Sequence, residues 1–235
     1  VAYSHNQESF KFLMDPMLSH GHEKISAMGY GAAINALSDH EGGMAKYFSQ
    51  RFAQVTNPPL DSIREQQGMT LRVALGNKPK FGGWHTKQIV IESPILNKTY
   101  FEKLCYQKEV KVNPFEMTFK PVLKDNEKTK QSLVSSINRL SEDVCAFAKR
   151  SGGIALLSDL AVSKECAPIP MILAISAVNQ ALIDNGLRMN VSLVLETGQV
   201  SSSHHVACAL GFGASAIYPF SVEIRSKEKF ASDAE

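Results

Sequence analysis

Two acidic side chains come directly after apolar runs in the C-terminal half of the sequence, and a pair of histidines follows the second of them. Asp159 follows GIALLS, Glu196 follows VSLVL, and His204 and His205 come after the next polar segment. Parallel sheets bind ligands at the carboxyl ends of their strands, so these are positions where a site would be built. We therefore expect the four side chains to lie near one edge of a sheet, in a pocket or against a neighbouring domain.

The seven histidines raise the question of a metal site. Two imidazoles can share a metal when a helix presents them on one face, as in the H-E-x-x-H pattern, and no segment has that spacing. The adjacent His204 and His205 would point about 100° apart on a helix. The sequence therefore predicts no metal-ligating residue, and we interpret the histidines as helix-surface and loop residues.

Motifs for catalysis or cofactor binding are missing from the sequence. The stretch GFGAS at 211–215 lacks the third glycine of a dinucleotide-binding turn and precedes a strand-like run, so a helix cap is the better interpretation. No G-x-S-x-G motif occurs, and the four separated cysteines form no C-x-x-C pair. We predict no catalytic residue, no cofactor-binding residue, and reduced, mostly buried thiols.

Length, composition and charge are those of an ordinary folded protein. The 235 residues suffice for one α/β domain, 44% of them are hydrophobic, and 25 basic side chains nearly balance 23 acidic ones. The net charge of +2 gives no electrostatic reason to expect nucleic acid or an anionic membrane as a partner. No apolar run approaches the ~20 residues of a membrane span. We expect a cytoplasmic protein, or a plastid protein if its source is eukaryotic.

Apolar periodicity predicts three helices in the first third of the chain. Spacings of three and four residues predict amphipathic helices at 8–18 and 44–55, and the prolines of TNPP end the second one. Ser62 and Glu65 form an S-x-x-E capping box, which predicts a third helix running to about Leu75. The stretch NPPLDS is therefore predicted to be a stiff elbow between two helices.

Helical and strand-like runs alternate in the C-terminal half. Helical periodicity at 133–147, 171–182 and 201–210 alternates with the apolar runs GIALLSD, NVSLVLET and ASAIYP. Short connections between such runs are typical of a parallel sheet built from βα units. The lysine-rich stretch 124–130 is predicted to be a surface loop because of its composition.

The fold class that follows is α/β, with a parallel sheet of βα units that resembles a truncated barrel. We predict one domain over 1–235, with a mostly helical half at 1–123 and a βα half at 124–235. Short strands are also predicted in QIVIESPIL and FEMTFKPVL, and about two turns of helix between them.

Several long phrases occur in order along most of the chain. They are LMDPMLSHGHEKISAMG, FAQVTNPPLDSIRE, ESPIL, GGIALLSDLAV and the stretch from APIPMILAI to GASAIYP. Together they resemble the central domain of the large subunit of glutamate synthase, from about residue 8 to residue 220. One departure is MGYGAAINALSD, in which Tyr30 and Gly31 stand where the family usually has an acidic pair.

The resemblance implies a connecting domain. In this family the central α/β domain lies between a glutamine amidotransferase domain and a domain that carries FMN and an iron-sulfur cluster, and the whole enzyme makes glutamate from glutamine and 2-oxoglutarate. A non-catalytic role in packing these partner domains together is therefore expected, with no cofactor in this chain and no activity in isolation. The candidate interdomain or pocket residues are Thr56, Asn57, Arg64, Asp159, Glu196, His204 and His205.

Two other interpretations remain open at this point. One is a stand-alone small-molecule enzyme or flavin-binding protein on a truncated barrel, with Asp159, Glu196 and His204 in its pocket. The other is a scaffold that binds partner proteins through the helical half. Bound flavin in the purified protein would favour the first.

Overall fold

A computed structural model of the chain describes residues 2–23, 43–49, 51, 55, 58–79 and 87–232. A π-helical segment, Ser9–Met14, continues into α1, and 3₁₀ turns occur at Met44–Tyr47 and Arg188–Asn190. The helices are α1 Asp15–His20, α2 Ser62–Gly68, α3 Lys98–Tyr106, α4 Asn126–Arg150, α5 Met171–Asp184, α6 Ser203–Gly211 and α7 Phe220–Ser232. The strands are β1 Val73–Gly76, β2 Gln88–Ile91, β3 Val112–Glu116, β4 Thr118–Phe119, β5 Gly153–Ser158, β6 Ala167–Pro168, β7 Val191–Glu196 and β8 Ala216–Tyr218.

The central sheet has four parallel strands in the order β3-β5-β7-β8. Its register places Leu157 opposite Leu195, and Leu195 opposite Ile217. Strands β5, β7 and β8 are nearly continuous apolar runs because both faces of the sheet are covered there, as is usual for parallel sheets, whereas the edge strand β3 is partly exposed. The predicted α/β fold is therefore confirmed, and no described helix is long and apolar enough to cross a membrane.

Alternation along the strands divides the core between the two faces of the sheet. On one face, Leu157, Leu193 and Leu195 pack in a cluster with residues of α4 and α5. On the other face, Leu156 and Val194 pack in a second cluster with α3 and β1. Successive strand residues point to opposite faces, so an uninterrupted apolar run supplies both cores.

The N-terminal half contributes strands to the fold as well as helices. Strands β1 and β2 form an antiparallel hairpin, and β3 pairs with β5 of the C-terminal half. The hairpin is tied to the sheet by Ser192, whose buried hydroxyl accepts from the Gly76 N–H at 3.0 Å and donates to the Gly76 carbonyl at 3.1 Å. Gly76 has a φ of +122°, and a Cβ there would lie 2.9 Å from the Lys87 carbonyl oxygen, so the position requires glycine.

The predicted helix at 8–18 is confirmed, whereas the helix predicted at 44–55 is wrong. Met44–Tyr47 forms a 3₁₀ turn, and Phe48, the next residue, is extended, with φ −102° and ψ 139°. The Phe48 ring packs edge-on against Phe212 at 5.0 Å between centroids. Phe48 is therefore used for tertiary packing, which periodicity alone cannot distinguish from a helix face.

The third helix is shorter than predicted and has a different N-cap. Helix α2 ends at Gly68, and the segment from Val73 pairs as β1 with β2. The N-cap is Asp61 rather than Ser62, because its Oδ1 accepts from the N–H groups of Ile63 and Arg64 at 3.1 and 3.0 Å. A carboxylate satisfies two unpaired N–H groups here, so the capping-box interpretation is wrong by one position.

The surface loop predicted at 124–130 is also wrong, because most of it belongs to α4. Asp125 is the N-cap of this helix, and its Oδ1 accepts from the Lys128 N–H at 3.0 Å. An exposed first helical turn is charged for the same reason as a surface loop, namely contact with water. Composition therefore cannot tell the two apart.

Candidate functional site

The carboxyl ends of β5 and β7 bring the candidate residues Asp159 and Glu196 together. Glu196, the last residue of β7, is the register partner of Ser158, which directly precedes Asp159. The N–H of Asp159 donates to the Glu196 carbonyl at 3.1 Å, and the N–H of Thr197 donates to the Tyr218 carbonyl at 3.1 Å. Parallel pairing thus continues one residue beyond the strands and fixes the backbone positions of Asp159 and Thr197.

The Asp159 carboxylate is completely buried and fully engaged by the loop after β7. Its Oδ1 accepts from the Gly198 N–H at 3.0 Å, and its Oδ2 accepts from the Thr197 hydroxyl at 2.7 Å and the Gln199 amide at 2.8 Å. Burial raises the pKa of Asp159, although these three donors oppose the shift. The side chain therefore holds the loop in place.

Gln199 carries this network to the start of α5. Its Nε2 also donates to the Ile169 carbonyl at 2.9 Å, and its Oε1 accepts from the Met171 N–H at 3.0 Å. Helix α5 begins after Pro170, whose side chain cannot cap it, so the amide of Gln199 takes that role. The only sequence signal for this arrangement is the polar, glycine-containing ETGQ after an apolar run.

The N-terminal segment completes the same edge through two residues that sequence analysis missed. The Tyr3 hydroxyl donates to the Asp159 carbonyl at 3.0 Å, and His5 Nε2 lies 2.7 Å from the Gly198 carbonyl. The Tyr3 ring leaves no space for a side chain at Gly198, where a Cβ would lie 2.7 Å from the ring. Burial, followed by the charges of Asp159 and Glu196, raises the pKa of Tyr3 to about 12.

Glu196 lies beside this network and is only partly buried. The Ser158 hydroxyl donates to its Oε2 at 2.6 Å. Burial, and then the carboxylates of Glu196 and Glu102, raise the pKa of the Cys105 thiol. Successive strand residues point to opposite faces, so Glu196 lies on the same face as Val194, which packs with α3 opposite α5.

The adjacent histidines His204 and His205 have different environments. His204 Nε2 lies 2.7 Å from the Ala45 carbonyl, whereas His205 Nδ1 accepts from the Ser201 N–H at 3.1 Å. Burial, and then the neighbouring His204 and His5, lower the pKa of His205 to about 4. Among the described residues, no group of three His, Cys, Asp or Glu side chains is arranged to hold a metal ion.

The remaining candidates belong to the proline-rich elbow. Arg64 is exposed on α2 and forms an ion pair with Asp61. Thr56 and Asn57, like Tyr30 and Gly31, lie outside the described residues. No residue of α2 is buried, so Arg64 stands on a helix that adds nothing to either core.

Two cavities open on the described surface. The larger has a volume of about 710 Å³ and includes His5, Gln199, Ser201 and His205 in its lining. The smaller, of about 530 Å³, lies between β2, α3 and α7 and is lined in part by Val90, Ile95, Tyr100 and Glu223. Asp159, Glu196 and His204 line neither of them.

Comparison with known proteins identifies similar sequences over the whole chain. A family model described as "Glutamate synthase central domain" matches residues 1–234. The chain is 35% identical to ferredoxin-dependent glutamate synthase of spinach (Spinacia oleracea, chloroplastic), over 93% of the chain. It is 32% identical to the large chain of NADPH glutamate synthase of Bacillus subtilis, also over 93% of the chain. In both cases it spans 14% of the relative's length.

Proposed function

The chain belongs to the glutamate synthase central domain family, and on that premise we propose that it is a non-catalytic connecting domain. It packs the glutamine amidotransferase and FMN-binding domains of a glutamate synthase-like protein together, in glutamate biosynthesis and nitrogen metabolism. FMN and the iron-sulfur cluster belong to the partner domains. The relatives use ferredoxin or NADPH, and some are chloroplast proteins, so either donor, and a cytoplasmic or plastid location, fits this proposal.

The main support for this proposal is that the Asp159 carboxylate is buried and hydrogen bonded within the chain. Parallel α/β enzymes use acidic side chains at the carboxyl ends of strands for chemistry. Here the Asp159 carboxylate has no exposed surface and accepts three hydrogen bonds from its own chain. A carboxylate that is fixed in this way organises a loop, and it is not open to a substrate. This supports a structural role for the edge.

Apolar side chains around the smaller cavity support a role in packing against another domain. Val90, Ile95 and Tyr100 line this cavity and are 53%, 48% and 60% exposed. Clustered apolar surface of this kind usually marks a contact with another protein surface. Tyr106, on the same helix as Tyr100, is 82% exposed and does not line the cavity.

A binding titration between the chain and the purified FMN-binding domain tests the proposal. Tyr100→Ser should weaken binding by about tenfold, because it removes a large side chain from the contact. Tyr106→Ser is the matched control and should bind as the unmodified chain does. Equal affinity for all three proteins, or no binding at all, would contradict a packing role for this surface.

Glu196 offers a second test of the same proposal. Because the oxygen of a glutamine side chain can still accept from Ser158, Glu196→Gln should leave the domain folded. We expect it to weaken binding to the FMN-binding domain through loss of charge. Unchanged affinity would remove Glu196 from the interface, and loss of folding would assign it to the internal network.

The absence of catalysis is tested directly. Incubating the purified chain with glutamine should release no ammonia above a buffer blank. Glutamine hydrolysis that increases with protein concentration, and survives repurification, would overturn the non-catalytic assignment.

A further inference from the structure

The larger cavity combines apolar walls with two imidazoles. Among its lining residues in the described part of the chain, none is Lys, Arg, Asp or Glu. Phe119, Leu133 and Ile172 contribute apolar surface, and His5 and His205 contribute polar atoms. Serine hydroxyls and the Gln199 amide also line it, and a volume of about 710 Å³ is within the range of pockets for small molecules.

Hydrogen bonds fix which ring nitrogen of each histidine carries the proton. A backbone N–H only donates, so His205 Nδ1, which receives the Ser201 N–H, must be the acceptor, and Nε2 carries the hydrogen. A carbonyl only accepts, so His5 Nε2, at 2.7 Å from the Gly198 oxygen, donates, and Nδ1 of the neutral ring is an acceptor. Burial lowers the pKa of both rings, which keeps them neutral at pH 7.

Among the described residues, none bonds to the second nitrogen of either ring. These nitrogens are Nε2 of His205 and Nδ1 of His5. His5 is only 8% exposed, and both histidines line the cavity. His205 Nε2–H is therefore a donor, and His5 Nδ1 an acceptor, that no described residue uses.

We propose that the larger cavity binds a small uncharged molecule in which a carboxamide-like group is attached to an apolar body. The carbonyl of such a group accepts from His205 Nε2–H, and its N–H donates to His5 Nδ1. The described lining offers an anion no cationic side chain, and the first N–H of α5 is already bonded to Gln199. The inference is independent of the packing role proposed above.

Benzamide is a suitable probe, and benzoate is its charged control of the same shape. We expect benzamide, titrated into the 15N-labelled 235-residue chain, to shift the ring resonances of His205 and His5 with a Kd of about 1–10 mM. Benzoate should leave them unchanged. Equal shifts with benzoate, or no shift at the highest benzamide concentration, would overturn the proposal. The titration uses the unmodified chain, so the result does not depend on the folding of a variant.

A variant of His205 tests whether this side chain is the donor to the ligand. His205→Phe retains an aromatic ring but removes the donor, and should weaken benzamide binding about fivefold. His20→Phe changes an exposed histidine outside the cavity and should bind as the unmodified chain does. Equal affinity of a folded His205→Phe protein would exclude this side chain as the ligand's donor and overturn the proposed binding mode.

Discussion

Helices α2 and α5 begin with the same requirement and satisfy it in different ways. Both must bond the free N–H groups of their first turn. Asp61 does this for α2 from the adjacent position, whereas α5 uses Gln199, which lies 28 residues after Met171. Helix α5 buries six residues and α2 buries none. A helix start can thus depend on its own sequence or on the assembled sheet.

The difference predicts how far a local change spreads. Disrupting the Asp159–Gln199 network affects a loop, the start of α5 and the N-terminal segment at once. Disrupting the cap of α2 affects one exposed helix. The four predictions below test this contrast, beginning with the largest expected effect.

Asp159→Asn should lower the free energy of unfolding by about 2–4 kcal/mol. Both carboxylate oxygens accept hydrogen bonds, and an amide replaces one of these acceptors with a donor that faces other donors. Urea unfolding followed by circular dichroism measures the change. Asp143→Asn, at an exposed position of α4, is the control. Equal midpoints for the two variants would show that the network does not stabilise the fold.

His205 should make stability depend on pH. Its pKa is about 4 in the folded protein against 6.5 when exposed, so the folded state binds fewer protons in this interval. The contribution is present above pH 6.5 and is lost as the pH falls towards 4, by about 2–3 kcal/mol.

His205→Gln removes this titration and should flatten the curve of unfolding free energy against pH. The raised pKa of Asp159 gives the opposite slope, but Asp159 is present in both proteins, so their difference isolates His205. Parallel curves from pH 7 to pH 4 would show that the surroundings of His205 do not lower its pKa.

Arg225 tests an effect of intermediate size. It attaches the N-terminal helix α1 to the C-terminal helix α7. Its guanidinium donates to both Asp15 oxygens at 2.8 Å and lies 5.0 Å from the Phe10 ring centroid. Arg225→Gln should cost about 1 kcal/mol, since the pair is partly exposed, and should speed amide exchange in α1. Lys227→Gln, which removes an exposed ion pair of α7, should not. Equal exchange rates in the two variants would contradict the proposed attachment.

Asp61→Ala should have the smallest effect and a purely local one. Loss of the cap should speed amide exchange in α2 severalfold, without a measurable shift of the urea midpoint, because the helix buries nothing. Ser62→Ala should change neither quantity. A faster exchange for Ser62→Ala than for Asp61→Ala would restore the capping box that the structure contradicts.

Long apolar runs and their alternation with helices were enough to predict the parallel sheet. GIALLS and VSLVLE form strands β5 and β7 because the first five residues of each are buried on one face or the other. Periodicity failed at 44–55, where Phe48 packs against the distant Phe212, and composition failed at 124–130, where a helix begins in water. In both segments the local pattern fits more than one structure.

Some residues of the candidate site were predicted from the sequence, and others were not. Sequence reasoning placed Asp159 and Glu196 at the carboxyl ends of strands, and the structure brings them together there. It missed Tyr3 and His5, which reach the same edge from 156 and 193 residues away along the chain. Neither residue type nor spacing signals a contact over that separation.

The sequence by itself determined the fold class, the family and the strand ends, because these follow from long runs of residues with a regular period. Only the tertiary structure decided that Asp159 is a buried organiser of the loop and that His5 and His205 share a cavity. The hydrogen bonds that make this difference join groups brought together by folding. Whether a carboxylate meets water or three donors depends on what packs over it.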